Sequence, residues 1–151
     1  MYYAIDLSDQ HHISTFLRDR ILRSYNLPVA FQKNLASALL NLNGWTNNNP
    51  YWHITTYFGS SPNADMQVFL DKYINKEFSF AIVAIGYIPT VSIALKVEPL
   101  EQEYICGNKI PHITVAAYRG HSPVESNDIK IWYELDLTKK VIVKGKLIKF
   151  H

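Results

Sequence analysis

The tripeptide His-Ile-Thr occurs twice in this chain, as His53-Ile54-Thr55 and as His112-Ile113-Thr114. Each copy lies in a run that reads as a β-strand, YWHITTYFG over residues 51–59 and IPHITVAAYRG over residues 110–120. Side chains at i and i+2 of a strand share a face, so each run presents one imidazole beside one hydroxyl, with the isoleucine turned away. An imidazole with a pKa near 6.5 can take or give a proton at neutral pH. Two of them supply both proton steps of a phosphoryl transfer, each typically worth about 10²–10⁴-fold in rate. Hydroxyl donors aimed at the non-bridging oxygens add the electrostatic part, and the chemistry then requires no metal.

The same parity names secondary candidates. His53, Thr55 and Tyr57 share one face of the first run; His112, Thr114, Ala116 and Tyr118 share one face of the second. Tyr57 and Tyr118 are therefore candidates to stack a base or touch a phosphate, and Arg119, at the strand end, to pair with one. His11, His12, His121 and His151 fall in helix-start, loop and terminal contexts and read as solvated. No grouping of His, Cys and carboxylates has metal-ligand spacing, and neither a Gly-rich phosphate loop nor a nucleophile elbow is present. No metal and no other cofactor is expected.

Elements able to position these residues can be read on either side. Residues 2–7 (YYAIDL) suit a strand, followed by a helix capped by Ser8 or Asp9 and running to about residue 24, with Ile13, Phe16, Leu17, Ile21 and Leu22 at helical spacing. Asn26 and Pro28 break it, and residues 31–43 suit a second helix with Leu35, Leu39, Leu40 and Leu42 as its apolar set. Residues 46–50 (TNNNP) read as a loop into the first His-Ile-Thr strand. Residues 64–75 predict a third helix, with Met66, Phe69, Leu70, Tyr73 and Ile74 on one face. Two strands, 78–87 and 90–99, meet near Ile88-Pro89-Thr90; a polar loop at 119–128 follows the second motif, and residues 129–150 close the chain as strands. The pattern predicts an α+β domain with sheets covered by helices and leaves the strand order open.

Composition sets the frame. The 151 residues suit one domain, residues 1–151, and 48% hydrophobic with 19% charged residues excludes a disordered chain. A net charge of +2 is too balanced for broad electrostatic capture of duplex nucleic acid and suits a small or short anionic ligand in a local pocket. The lysines of KKVIVKGKLIK alternate with apolar residues, as on the solvated face of a strand. Cys106 is the sole cysteine, so no intrachain disulfide can form and a reducing compartment is expected. No leader and no bilayer-length apolar run is seen, so the expected setting is the cytoplasm, without membrane or obligate protein partner.

Paired H-x-T strands in a small α+β chain resemble the 2H phosphoesterase superfamily. That group includes LigT-like RNA phosphodiesterases, the cyclic phosphodiesterase domain of fungal tRNA ligases, viral oligoadenylate phosphodiesterases and phage enzymes that destroy cyclic-oligonucleotide signals. The resemblance covers nearly the whole chain in element order, and its specific part is the two tripeptides. It implies a bilobal fold of two pseudo-symmetric antiparallel sheets, flanked by helices, around a central cleft. By that likeness His53 and His112 form the acid–base pair, while Thr55 and Thr114 hold the phosphate. The activity implied is metal-independent hydrolysis of a 2′,3′-cyclic phosphate at an RNA end or of a related oligonucleotide. The runner-up is a signalling nucleotide, cyclic or 2′-5′-linked; a catalytically silent nucleotide-binding module is the reading from outside the enzyme class.

Overall fold

The computed structural model describes residues 2–23, 26–136, 138 and 140–151. The chain opens with β1 (Tyr2–Asp6), a helical turn α1 (His12–Thr15) that widens into a π-helical run over Phe16–Leu22, and α2 (Val29–Leu39). Then come β2 (Trp45–Asn47), β3 (His53–Phe58), α3 (Ala64–Tyr73), β4 (Glu77–Ile88), β5 (Ser92–Pro99) and β6 (His112–Tyr118). A 3₁₀ segment (Pro123–Asp128), β7 (Trp132–Glu134) and β8 (Val141–Phe150) complete it. The architecture is α+β, as the sequence predicts, and its strands form one eight-stranded antiparallel sheet accompanied by several helices.

The ladders run β6–β3–β1–β8–β4–β5, and β5 also pairs with β6, so the sheet closes on itself. β2 lies against the end of β6, and β7 against β4. Within this ring, β3–β1–β8 and β6–β5–β4 are two runs of consecutive neighbours. They meet where Ile54 pairs with Ile113, and again where the first half of β4 pairs with β8. β8 can approach β1 closely because residue 145 is glycine: a Cβ there would collide with the Asp6 carbonyl oxygen.

Helices cover the sheet through aromatic contacts. Phe31 of α2 stacks on Tyr87 of β4 with ring centroids 3.9 Å apart, and the Trp45 indole N–H donates to Asn34 Oδ1, tying α2 to β2. α3 starts at Asn63, whose side chain accepts from Met66 N, and buries Met66, Phe69 and Leu70. Phe69 and Phe78 close around Tyr104.

Several expectations need correction. Neither Ser8 nor Asp9 caps the first helix: the Asp6 carboxylate accepts from Ser8 N, and successive turns delay the helix start to His12. The expected end of that helix, near Ser24, lies outside the described residues. Leu40 and Leu42 are exposed because α2 ends at Leu39. Residues 45–47, expected partly as loop, form β2 by pairing with Tyr118, Ala117 and Ala116. A pairing three residues long leaves no periodicity in a sequence.

Candidate functional site

The two His-Ile-Thr tripeptides occupy the starts of β3 and β6 and are brought together through their middle residues. Ile54 and Ile113 are antiparallel partners, both fully buried. An antiparallel pair has a local two-fold axis between its partners. That axis exchanges His53 with His112 and Thr55 with Thr114. The irregularities match as well. Against β1, Tyr3 pairs with Tyr57 and Ala4 with Thr55, leaving Thr56 as an extra residue; against β5, Ile93 pairs with Ala116 and Ala94 with Thr114, leaving Val115. Each strand therefore bulges one residue after its threonine.

The imidazoles are held alike. Nδ1 of His53 bonds the carbonyl of Tyr51 at 2.9 Å, and Nδ1 of His112 bonds the carbonyl of Ile110 at 2.8 Å. A carbonyl oxygen only accepts, so each Nδ1 carries a proton and each neutral ring keeps its lone pair on Nε2. Charged or neutral, the ring is then oriented to exchange a proton at Nε2. His112 is the more buried of the two. Desolvation pushes its pKa below the ordinary imidazole value; the Ile110 carbonyl works against this shift, and the charge on His53 adds to it.

His53, Thr55, His112 and Thr114 line one cavity of about 440 Å³, with Tyr2, Asn48, Phe58, Asn108, Ser122, Pro123, Val124 and Asn127 around them. Such a volume lies within the range of about 300–1,000 Å³ common for small-ligand sites. Thr114 Oγ1 lies 3.0 Å from Ser126 Oγ, and only a long 3.5 Å contact joins it to the Pro123 carbonyl. Either hydroxyl can be the donor in the Thr114–Ser126 bond; when Ser126 donates, the Thr114 proton can turn towards an oxygen in the cavity. Asn48 Nδ2 donates to the Thr114 carbonyl, fixing β6 at the cavity edge.

The segment before β6 is laced to β3. Gly107 N donates to the Thr56 carbonyl at 2.7 Å, while Cys106 Sγ and Asn108 Nδ2 both reach the Thr55 carbonyl. Thr56 Oγ1, fully buried, meets Tyr104 Oη at 2.8 Å. The bulge after Thr55 is therefore anchored from the chain that leads into the second motif. Burial pushes the Cys106 thiol and the Tyr104 phenol upward in pKa, so both remain protonated at neutral pH.

Three residues singled out by parity lie elsewhere. Tyr57, Tyr118 and Arg119 do not line the cavity. Tyr57 and Tyr118 pack against the core, Tyr118 edge-on to Trp45, and the Arg119 guanidinium sits over the Tyr118 ring. The bulges are the cause, because an extra residue shifts the alternation beyond it. Phe58, of the opposite parity to His53, reaches the cavity beside Tyr2 instead. Of the remaining histidines, His12 Nε2 bonds the Ile142 carbonyl and His121 pairs with Glu125. Among the described residues no three His, Cys, Asp or Glu side chains gather to hold a metal ion, and no helix is long and apolar enough to cross a membrane.

Comparison with known proteins places this architecture among solved structures. The chain is similar to the crystal structure of a fungal RNA kinase, with a TM-score of 0.56 and 17% identity over 96% of this chain. What is shared is the fold. The match covers 41% of the fungal protein, so this chain spans about two-fifths of its length. No family model matches the sequence, and no curated protein matches it.

Proposed function

We propose that this protein is a phosphodiesterase of the 2H type, acting on 2′,3′-cyclic phosphate RNA ends or related oligonucleotides by two-histidine acid–base catalysis. The observation that carries this reading is the matched pair of imidazoles, each fixed through Nδ1 on a backbone carbonyl two residues earlier and both lining one cavity with Thr55 and Thr114. The runs β3–β1–β8 and β6–β5–β4, related about Ile54 and Ile113, fit a two-lobed organisation with a motif from each lobe. Likeness to an RNA kinase agrees with an RNA-end substrate.

In this mechanism Thr55 and Thr114 donate to the non-bridging oxygens, and the imidazoles flank the phosphorus. His112, whose burial favours the neutral ring, takes a proton from water at Nε2 as the water oxygen bonds to phosphorus. The bond from phosphorus to a ribose oxygen breaks on the opposite side, and His53 delivers its Nε2 proton to that leaving oxygen. The products are a phosphate monoester and a free ribose hydroxyl. Return of the proton from His112 to His53 through solvent resets the site. Every step uses groups of this chain and one water.

Cyclic di- and trinucleotides and 2′-5′ oligoadenylate offer the same reaction centre. Incubating the protein in EDTA with these and with 2′,3′-cyclic nucleotides, and identifying the product phosphate, separates the substrates. Turnover of a 2′,3′-cyclic end supports the first reading. Turnover confined to signalling nucleotides moves the assignment there, and binding with no turnover of any diester leaves a silent module and overturns the proposal.

A further inference from the structure

A second cavity also has His112 in its wall. It measures about 600 Å³ and shares His112, Asn108 and Asn127 with the first. The two are therefore adjoining cavities with a common wall at these three residues. Lys109, Lys130 and Trp132 furnish the second compartment, and no Asp or Glu lines it. Neither lysine enters an ion pair among the described residues. In a chain with a net charge of only +2, two cations beside one cavity without an opposing carboxylate form a local anion site.

Trp132 is built in rather than draped over the surface. It pairs in register with Gly86 of β4, where a Cβ would stand 2.7 Å from Trp132 Cε3. Glycine thus lets the indole lie directly on the strand, and the small residues Ala81 and Ala84 with Val83 complete its seat. An aromatic ring immobilised in this way, beside ammonium groups, is what a nucleobase and its phosphate need: a stacking surface and charge. The first cavity is lined in addition by Tyr2 and by Phe58, which is 73% exposed.

We propose that this second compartment holds the neighbouring nucleotide of an oligonucleotide substrate, with its phosphate on Lys109 and Lys130 and its base against Trp132. The inference rests on the catalytic reading of the His53–His112 cavity and extends it: the substrate is a chain carrying at least one phosphate beyond the scissile one. Mononucleotide cyclic phosphates leave the compartment empty and are the poorer substrates.

Two measurements on the full chain test this. The first compares kcat/KM for a 2′,3′-cyclic mononucleotide and for a short RNA ending in a 2′,3′-cyclic phosphate. Wild type favours the RNA, and Lys109→Ala/Lys130→Ala lowers the RNA value about tenfold more than the mononucleotide value. The second measures binding of a fluorescein-labelled deoxyribonucleotide trimer by polarisation, independent of turnover. The lysine double variant weakens binding about tenfold and reduces the salt slope by about one per lysine removed. Equal losses on both substrates, or trimer binding unchanged by the double variant, overturn the compartment's role. Lysine-dependent trimer binding without turnover of any diester keeps the nucleotide site and removes the catalytic reading.

Discussion

Oγ1 of Thr114 stands 3.0 Å from Oγ of Ser126, which stands 2.6 Å from Oγ of Ser92, so three buried hydroxyls form a chain that ends at the cavity wall. If Ser92 donates to Ser126 and Ser126 to Thr114, the Thr114 proton is left to serve a ligand oxygen. Ser126→Ala removes the donor that sets this direction. The expected result is a fall in kcat with a smaller change in KM, together with a loss of stability of about 1–3 kcal/mol from the orphaned hydroxyls. Thr114→Ser should retain most activity, whereas Thr114→Val should lose it at similar melting temperature. Full activity in Thr114→Val would remove the hydroxyl from the mechanism.

His53→Ala and His112→Ala should each lower kcat by about 10²–10⁴-fold. Far-ultraviolet circular dichroism should show the fold retained, since each side chain bonds only one carbonyl. Near-wild-type turnover in either variant rules out the paired mechanism.

Because burial depresses the pKa of His112, the acidic limb of the rate–pH profile should fall below about 6.5, the ordinary imidazole value. Stability carries the same sign. Between the lowered folded value and the ordinary unfolded one, the unfolded chain binds more protons, so stability drops as pH falls through that window and is fully present above it. Urea titrations from pH 7 to pH 5 should show this slope reduced in His112→Gln. An acidic limb well above 6.5 would place the base elsewhere.

Gly107→Ala should loosen the bridge between the motifs. A Cβ at residue 107 would stand 2.9 Å from the Thr56 carbonyl oxygen, the atom that Gly107 N bonds at 2.7 Å. Relief requires the chain before β6 to move off β3. The expected cost is about 1–3 kcal/mol, as for other overpacked sites, with activity falling further than stability alone accounts for. Chemical denaturation and steady-state rates measure the two effects separately.

Tyr104→Phe keeps the aromatic packing around Phe69, Phe78 and Phe80 but leaves Thr56 Oγ1 buried without its partner. A destabilisation of about 1–3 kcal/mol is expected. Tyr104→Phe/Thr56→Val, which removes both polar groups, should recover much of it. Failure of that rescue would mean the phenol has a different role.

Much of the fold was legible because its long elements repeat their patterns. β4 and β5 are continuous apolar runs, and α3 carries a helical stripe behind an Asn63 cap. What escaped were short or irregular pieces whose existence depends on a distant partner. β2 is defined by its pairing to β6, the start of α1 by the Asp6 turn, and the direction of Tyr57 by a bulge set against β1.

The sequence by itself determined that each motif would present an imidazole and a hydroxyl on one side of a strand, since alternation is a property of the extended backbone. Only the tertiary structure decided that the two motifs meet through Ile54 and Ile113 and that both rings share one cavity. It also supplied Tyr2, Asn48, Asn108, Ser126 and Asn127, which no local pattern marks. These residues reach the site from the first strand, from loops and from the 3₁₀ segment, and their positions follow from which strands pair, a long-range choice that no short window of sequence encodes.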